Sequence, residues 1–174
     1  PAAEPSDIPI YLLSLEAAKT VKMVLSGEGA DEFIGGYPKH VVESYVGSYF
    51  KLPAGLRHGL IEPLGQALPY RFHRLKTALA SLSLEDAPQR FCRWFGAMSE
   101  AERHSLLIDD ATAIDCHSAQ FDTTPDNSSL RKVLYFDQTS WLPDNLLQRG
   151  DRMTMAASIE ARMPFMDHEL ASFV

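Results

Sequence analysis

The run Val21-Lys22-Met23-Val24-Leu25, followed at once by Ser26-Gly27-Glu28-Gly29-Ala30-Asp31-Glu32-Phe33-Ile34-Gly35-Gly36-Tyr37, constrains this chain more than any other stretch. Two valines and a leucine predict a short buried strand, and the loop after it carries two glycines and three carboxylates. Junctions of this kind are where α/β proteins place ligands. In open parallel sheets the ligand sits beyond the carboxyl ends of the strands, where glycines let backbone N–H groups approach a phosphate closely. Glycines at 27, 29, 35 and 36 suit that use.

Taken alone, the loop has two readings. A Ser-Gly-x-Gly turn can wrap a phosphate with backbone donors, with Asp31 holding a magnesium ion that shares the phosphate oxygens and Glu28, flanked by glycines, facing the ligand. The other reading is a tight strand-to-helix turn with Asp31 and Glu32 as solvated first-turn acids favoured by the helix dipole. No Gly-Lys-Ser or Gly-Lys-Thr follows, so it is not a Walker loop. A dinucleotide fingerprint is excluded too, because Gly27-x-Gly29 lacks a third glycine three residues on.

At 174 residues the chain is about one domain in size and is expected to bury roughly 70% of its unfolded surface. The net charge of -7, from 16 basic and 23 acidic side chains, argues against nucleic acid as the main partner. Cys92 and Cys116 belong to no paired-cysteine motif and are expected to be buried thiols. No run is long enough to span a bilayer and Pro1-Ala2-Ala3-Glu4-Pro5 is no signal peptide, so a cytoplasmic location is expected. Both ends read as cuts within a longer polypeptide.

Along the chain, Ser6 or Asp7 is expected to cap a helix over 8–20, which leads into the strand. A single strand forms no sheet, so its neighbours lie outside this chain or go unrecognised within it. From Pro38 the pattern is helical: Val41, Val42, Tyr45, Val46, Tyr49 and Phe50 give one apolar face, ended by Pro53. Further helices are expected over 56–68 and 71–82, the latter with a basic, solvated face of Arg71, His73, Arg74 and Lys76. Phe91, Trp94, Phe95 and Met98 read as core, Ser99 as the cap of a new helix, and 109–127 as a polar loop. A helix over 129–141 is expected to break at Leu142-Pro143-Asp144, and another runs from 145 to about 161. That last helix reads as largely buried, so that Asp151 and Arg152 need partners.

Ser26-Gly27-Glu28-Gly29-Ala30-Asp31-Glu32 with Gly35-Gly36-Tyr37 resembles the synthetase domain of glutamine-dependent asparagine synthetases. So does the second motif, Leu142-Pro143-Asp144-Asn145-Leu146-Leu147 through Asp151-Arg152-Met153-Thr154-Met155-Ala156 to Glu160-Ala161-Arg162-Met163-Pro164-Phe165-Met166-Asp167. The resemblance covers the whole chain in layout. It implies an α/β fold of the ATP pyrophosphatase (adenine nucleotide alpha hydrolase-like) type, predominantly helical here with few strands. Its parts are 1–37 for the strand and glycine-carboxylate loop, 38–128 for a helical region, and 129–174 for the second motif. It further implies activation of the aspartate side chain by ATP and Mg2+ to an acyl-adenylate, then displacement of AMP by ammonia from a glutaminase domain of the same parent chain. By matching positions, Asp31 would be a metal ligand, Glu28 would act catalytically at the ammonia step, and Ser26 and Gly27 would line the nucleotide side. Such chemistry suits these residue types, since pyrophosphate departure needs metal and backbone donors, and amine attack needs a base. Asp151, Arg152, Glu160 and Arg162 are read as paired structural charges, the other reading being a place for Asp151 or Arg152 near the aspartate pocket.

The family's upstream Ser-Gly-Gly-x-Asp-Ser loop, its downstream lysine and its nucleophilic amino-terminal cysteine have no match here, so the chain alone is expected to be inactive. β-Lactam synthetases share the architecture, which leaves the acceptor open, and a non-catalytic helical interaction module is the reading from a different class. The resemblance also leaves a homodimer open.

Overall fold

The computed structural model describes residues 4–95, 105–106 and 128–174, without the side chains of Cys92 and Phe95. The expected buried thiols, the packing of Phe95 and Met98, the cap at Ser99 and the polar loop over 109–127 lie outside the described residues. The chain divides into two compact units, one of residues 1–37 with 134–174 and one of residues 38–133.

In the first unit, helix α1 (Asp7–Ala17) leads through a turn to strand β1 (Met23–Leu25), and helix α2 (Ala30–Ile34) follows the glycine loop. Ser6 occupies the position before α1, but its side chain makes no capping bond. The neighbour that β1 required lies within the chain. Strand β2 (Glu160–Arg162) pairs with β1 in parallel, Met23 opposite Glu160, Val24 opposite Ala161 and Leu25 opposite Arg162.

Strand β2 corrects the expectation of helix as far as 161. Helix α9 (Gln148–Ala156) ends because Ser158 adopts a left-handed φ of 58°. The Ser158 N–H then donates to Met155 O at 2.9 Å and the Ile159 N–H to Thr154 O at 3.0 Å. These two bonds are the Schellman closure, which usually employs glycine at the left-handed position. Ile159 follows, fully buried, and the Glu160 N–H donates to Lys22 O at 3.0 Å to open the ladder.

Two further expectations change in this unit. The β1 strand is not buried: Met23 is 50% and Leu25 70% exposed, because a two-stranded sheet leaves much of its surface uncovered. Nor does Pro143 break the helix. After helix α8 (Ser129–Phe136), a π-helical stretch over Asp137–Leu147 carries Pro143 inside it and runs on into α9. A proline removes one backbone donor, and a widened turn is a usual way to absorb that loss.

The second unit is helical: α3 (Pro38–Phe50), α4 (Ala54–Leu56), a π-helical turn (Arg57–Ile61), α5 (Glu62–Ala67), a 3-10 turn (Tyr70–Phe72), α6 (His73–Leu82) and α7 (Ala87–Phe95). The inward face of α3 is more polar than its apolar pattern suggested. Lys39, His40 and Glu43 are buried beside Val46, whereas Val41 and Tyr45 are exposed. Glu43 explains much of this. It accepts from Arg90 Nε at 2.9 and 3.1 Å, Trp94 Nε1 at 3.2 Å and Ser129 Oγ at 2.5 Å. A buried carboxylate met by a guanidinium and two further donors is compensated, so the helix can turn it inward. Arg71, His73, Arg74 and Lys76 are exposed, as a solvated face should be.

The candidate active site around Glu28

The first unit brings the two sequence motifs together at the end of β1. The Ser26 N–H donates to Arg162 O at 2.8 Å, extending the parallel ladder into the glycine loop. Gly29 then takes a φ of 94° at the start of α2. A Cβ there would stand 2.8 Å from Met166 Cγ, so glycine is required both for the left-handed backbone and for the approach of the second motif. Gly150, on α9, is the third contact: a Cβ on it would lie 3.0 Å from Glu28 Oε2 and 3.2 Å from Oε1.

A concavity of about 400 Å³ adjoins this junction. Its walls are mainly apolar, with Ile10, Leu13 and Ala17 from α1, Val24 and Leu25 from β1 and Ala161 from β2. Ser26, Glu28 and Thr154 add polar groups. The concavity is shallow and open, since Leu13 and Leu25 on its wall are 71% and 70% exposed.

Glu28 is the unusual group within it. Its carboxylate is half-buried, and Oε2 is buried with no hydrogen-bond donor. Burial pushes its pKa above the ordinary carboxylate value; the Arg149 guanidinium opposes that shift and the Glu32 charge adds to it. Arg149 is itself held, with Nε 3.5 Å from Asp7 Oδ1 and Nη1 donating to Asn145 Oδ1 at 3.3 Å.

The other sequence-predicted residues fall differently. Gly27 and Asp31 do not line the concavity, whereas Ser26 does. No atom lies within 4 Å of where a Gly27 side chain would begin, so its backbone is open to approach. Asp31 is exposed at the start of α2, and its carboxylate lies across Gly36, where a Cβ would stand 1.8 Å from Oδ1. Among the described residues, no group of three or more metal-type side chains gathers.

Glu32 corrects its reading as a solvated first-turn acid. It is 1% exposed and accepts from the Tyr37 hydroxyl at 2.5 Å. Burial, the bond to Glu32 and the nearby acidic charges push the Tyr37 phenol well above its ordinary range, and Trp141 bonds to the same phenol. Gln138 Nε2 donates to Glu32 O at 3.0 Å, which ties α2 to the π-helical stretch.

In the second motif, Asp151 and Arg152 are exposed rather than buried, which removes the need for buried partners. Arg162 pairs with Glu160 at 2.5 Å with both side chains more than half exposed, so that pair contributes little to stability. The sequence reading misses Arg149, and it takes Gly150 only as a small residue on the close-packing face of its helix. The available signal was a glycine inside a helical pattern, which costs helix stability and so calls for a packing or functional reason.

Comparison with known proteins gives the family of the chain. The chain matches the asparagine synthase family over residues 1–174. A Mycobacterium bovis protein provisionally named asparagine synthetase (glutamine-hydrolyzing) is 31% identical over 175 residues, an overlap of 98% of this chain and 26% of that protein. Asparagine synthetase (glutamine-hydrolyzing) 1 of Bacillus subtilis is 29% identical over 170 residues, covering 96% of this chain and 26% of the relative. The chain thus spans about a quarter of the length of these curated relatives. No solved structure matches the chain significantly. The agreement runs from the glycine loop through the second motif, and the chain belongs to the asparagine synthase family.

Proposed function

We propose that this chain is part of a longer ATP-dependent amidotransferase with an ATP pyrophosphatase-type α/β fold. It adenylates the side-chain carboxylate of aspartate and transfers ammonia, released from glutamine by a separate domain, to give asparagine, AMP and pyrophosphate. In the observed structure, the carrying observation is that both motifs converge on a half-buried carboxylate, Glu28, with a donor-free oxygen at the edge of a pocket. The names of the relatives support the choice of product. Residues 1–37 and 129–174 carry the site in this reading, and 38–128 form the intervening helical part.

Glu28 is the proton acceptor. When ammonia attacks the acyl carbon, a C–N bond forms, the acyl–phosphate C–O bond breaks and AMP leaves with that electron pair. The nitrogen then sheds a proton, and a carboxylate lifted above its ordinary pKa is a better base for it than a solvated glutamate. Ser26 and the unobstructed backbone of Gly27 face the nucleotide.

Asp31 fits a magnesium ion of the kind that takes one or two carboxylates and completes its shell with phosphate oxygens and water. Its exposure at the start of α2 leaves the carboxylate accessible to such a hydrated ion. When bound, such an ion offsets the charge of the departing pyrophosphate.

The test is pyrophosphate release by the complete polypeptide with MgATP and a panel of carboxylic acids. Release with aspartate alone is expected. Exclusive activation of another acid overturns the substrate, and release with none overturns the ligase reading. The 174-residue chain by itself is expected to release none, and aspartate-dependent release by it would contradict a site divided between this chain and the rest.

A further inference from the structure

We propose that Gly150 is a positioning residue for Glu28, its bare backbone forming the surface against which the carboxylate stands. The inference rests on Glu28 as the proton acceptor and adds what fixes its position. Gly150 is buried within a continuous helical run, the π-helical stretch passing directly into α9. Glycine is the poorest helix former after proline, so its presence there calls for a compensating role.

Helix packing is the ordinary explanation, and α9 does pack against α1; what lies nearest to Gly150 is nonetheless Glu28. A Cβ on Gly150 would have three nearest neighbours outside its own helix, and all belong to Glu28: Oε2 at 3.0 Å, Oε1 at 3.2 Å and Cδ at 3.5 Å. No protein donor holds Oε2, and the Gly150 backbone lies directly beside both carboxylate oxygens. A methyl group there would displace the end of a flexible side chain by a few tenths of an ångström. The consequence therefore falls on the position of the base and much less on folding, and small misplacements of reacting groups are costly in rate.

The experiment compares Gly150→Ala, Glu28→Asp, Glu28→Gln and the Gly150→Ala/Glu28→Asp pair in the complete polypeptide, reading Tm, kcat and KM for ammonia-dependent synthesis. Gly150→Ala is expected to keep or raise Tm, by up to about 4 °C. It should lower kcat about 10-fold while KM for aspartate and ATP stays within about 2-fold. In the Glu28→Asp background, where the carboxylate is drawn back by one methylene, the same methyl should cost at most about 2-fold, a non-additivity that contacting residues show. Wild-type kcat in Gly150→Ala, an equal loss in both backgrounds, or a Tm lower by more than about 5 °C would each overturn the proposal. Normal synthesis by Glu28→Gln would instead show that the assignment of Glu28 had failed, and the role of Gly150 with it. An inactive Glu28→Gln beside a fully active Gly150→Ala isolates the failure to Gly150.

Discussion

Glu28 and Glu43 are both carboxylates removed from bulk water, one in each unit, and they are treated in opposite ways. Glu43 is 1% exposed and takes bonds from Arg90, Trp94 and Ser129. Its charge is compensated and its oxygens are occupied, so it fixes α3, α7 and the start of α8 and has no capacity left for chemistry. Glu28 has a buried oxygen without a donor, a wall of glycine and a raised pKa. Desolvation that a neighbouring charge offsets only in part raises a carboxylate's pKa, as at Glu28, whereas desolvation met by a full set of donors makes it structural, as at Glu43. Glu32, four residues from Glu28 in the first unit, is also buried but has the Tyr37 hydroxyl bonded to Oε1.

The contrast is sharpest when the structural carboxylate is neutralised. Glu43→Gln leaves Arg90 as a buried charge without its counter-ion and is expected to cost about 3–5 kcal/mol, read as a lowered urea midpoint of the complete polypeptide. A midpoint unchanged from wild type would remove the distinction between the two sites. A smaller effect follows at the glycine that admits the second motif. Gly29→Ala forces a side chain onto a backbone at φ 94° and against Met166, with an expected loss of about 1–2 kcal/mol in stability. The smallest is a pH dependence. Because the folded state raises the pKa of Glu28, the native protein binds more protons than the unfolded chain once pH passes the ordinary carboxylate value of 4.5. The stability tied to the protonated form is complete below that value and is lost as pH rises through the folded pKa. Glu28→Gln should flatten that part of the stability profile, and parallel wild-type and variant profiles would contradict it.

Local chemistry accounts for what the sequence could disclose. The strand at Met23–Leu25, the turn at Gly29 and the solvated basic face of α6 all follow from short-range patterns. Strand β2 did not, because the end of α9 is marked by Ser158 in a conformation that normally advertises itself with glycine. Pro143 misled in the opposite direction, since a π-helical stretch accommodates it. Within the site, the loop residues could be picked out by type, but the placing of Gly150 and Arg149 beside Glu28 depends on the parallel pairing that follows α9. The burial of Glu32 likewise depends on Tyr37 folding back five residues later.

The central claim is that Glu28 is kept unpartnered for proton transfer. Its most direct test is Glu28→Gln in the complete polypeptide, with ammonia-dependent synthesis, glutaminase rate and Tm measured on one preparation. A fall in synthesis of about 10²–10⁴-fold is expected, the usual worth of a positioned base, with the glutaminase rate unchanged and Tm unchanged or raised. Synthesis at the wild-type rate would contradict it.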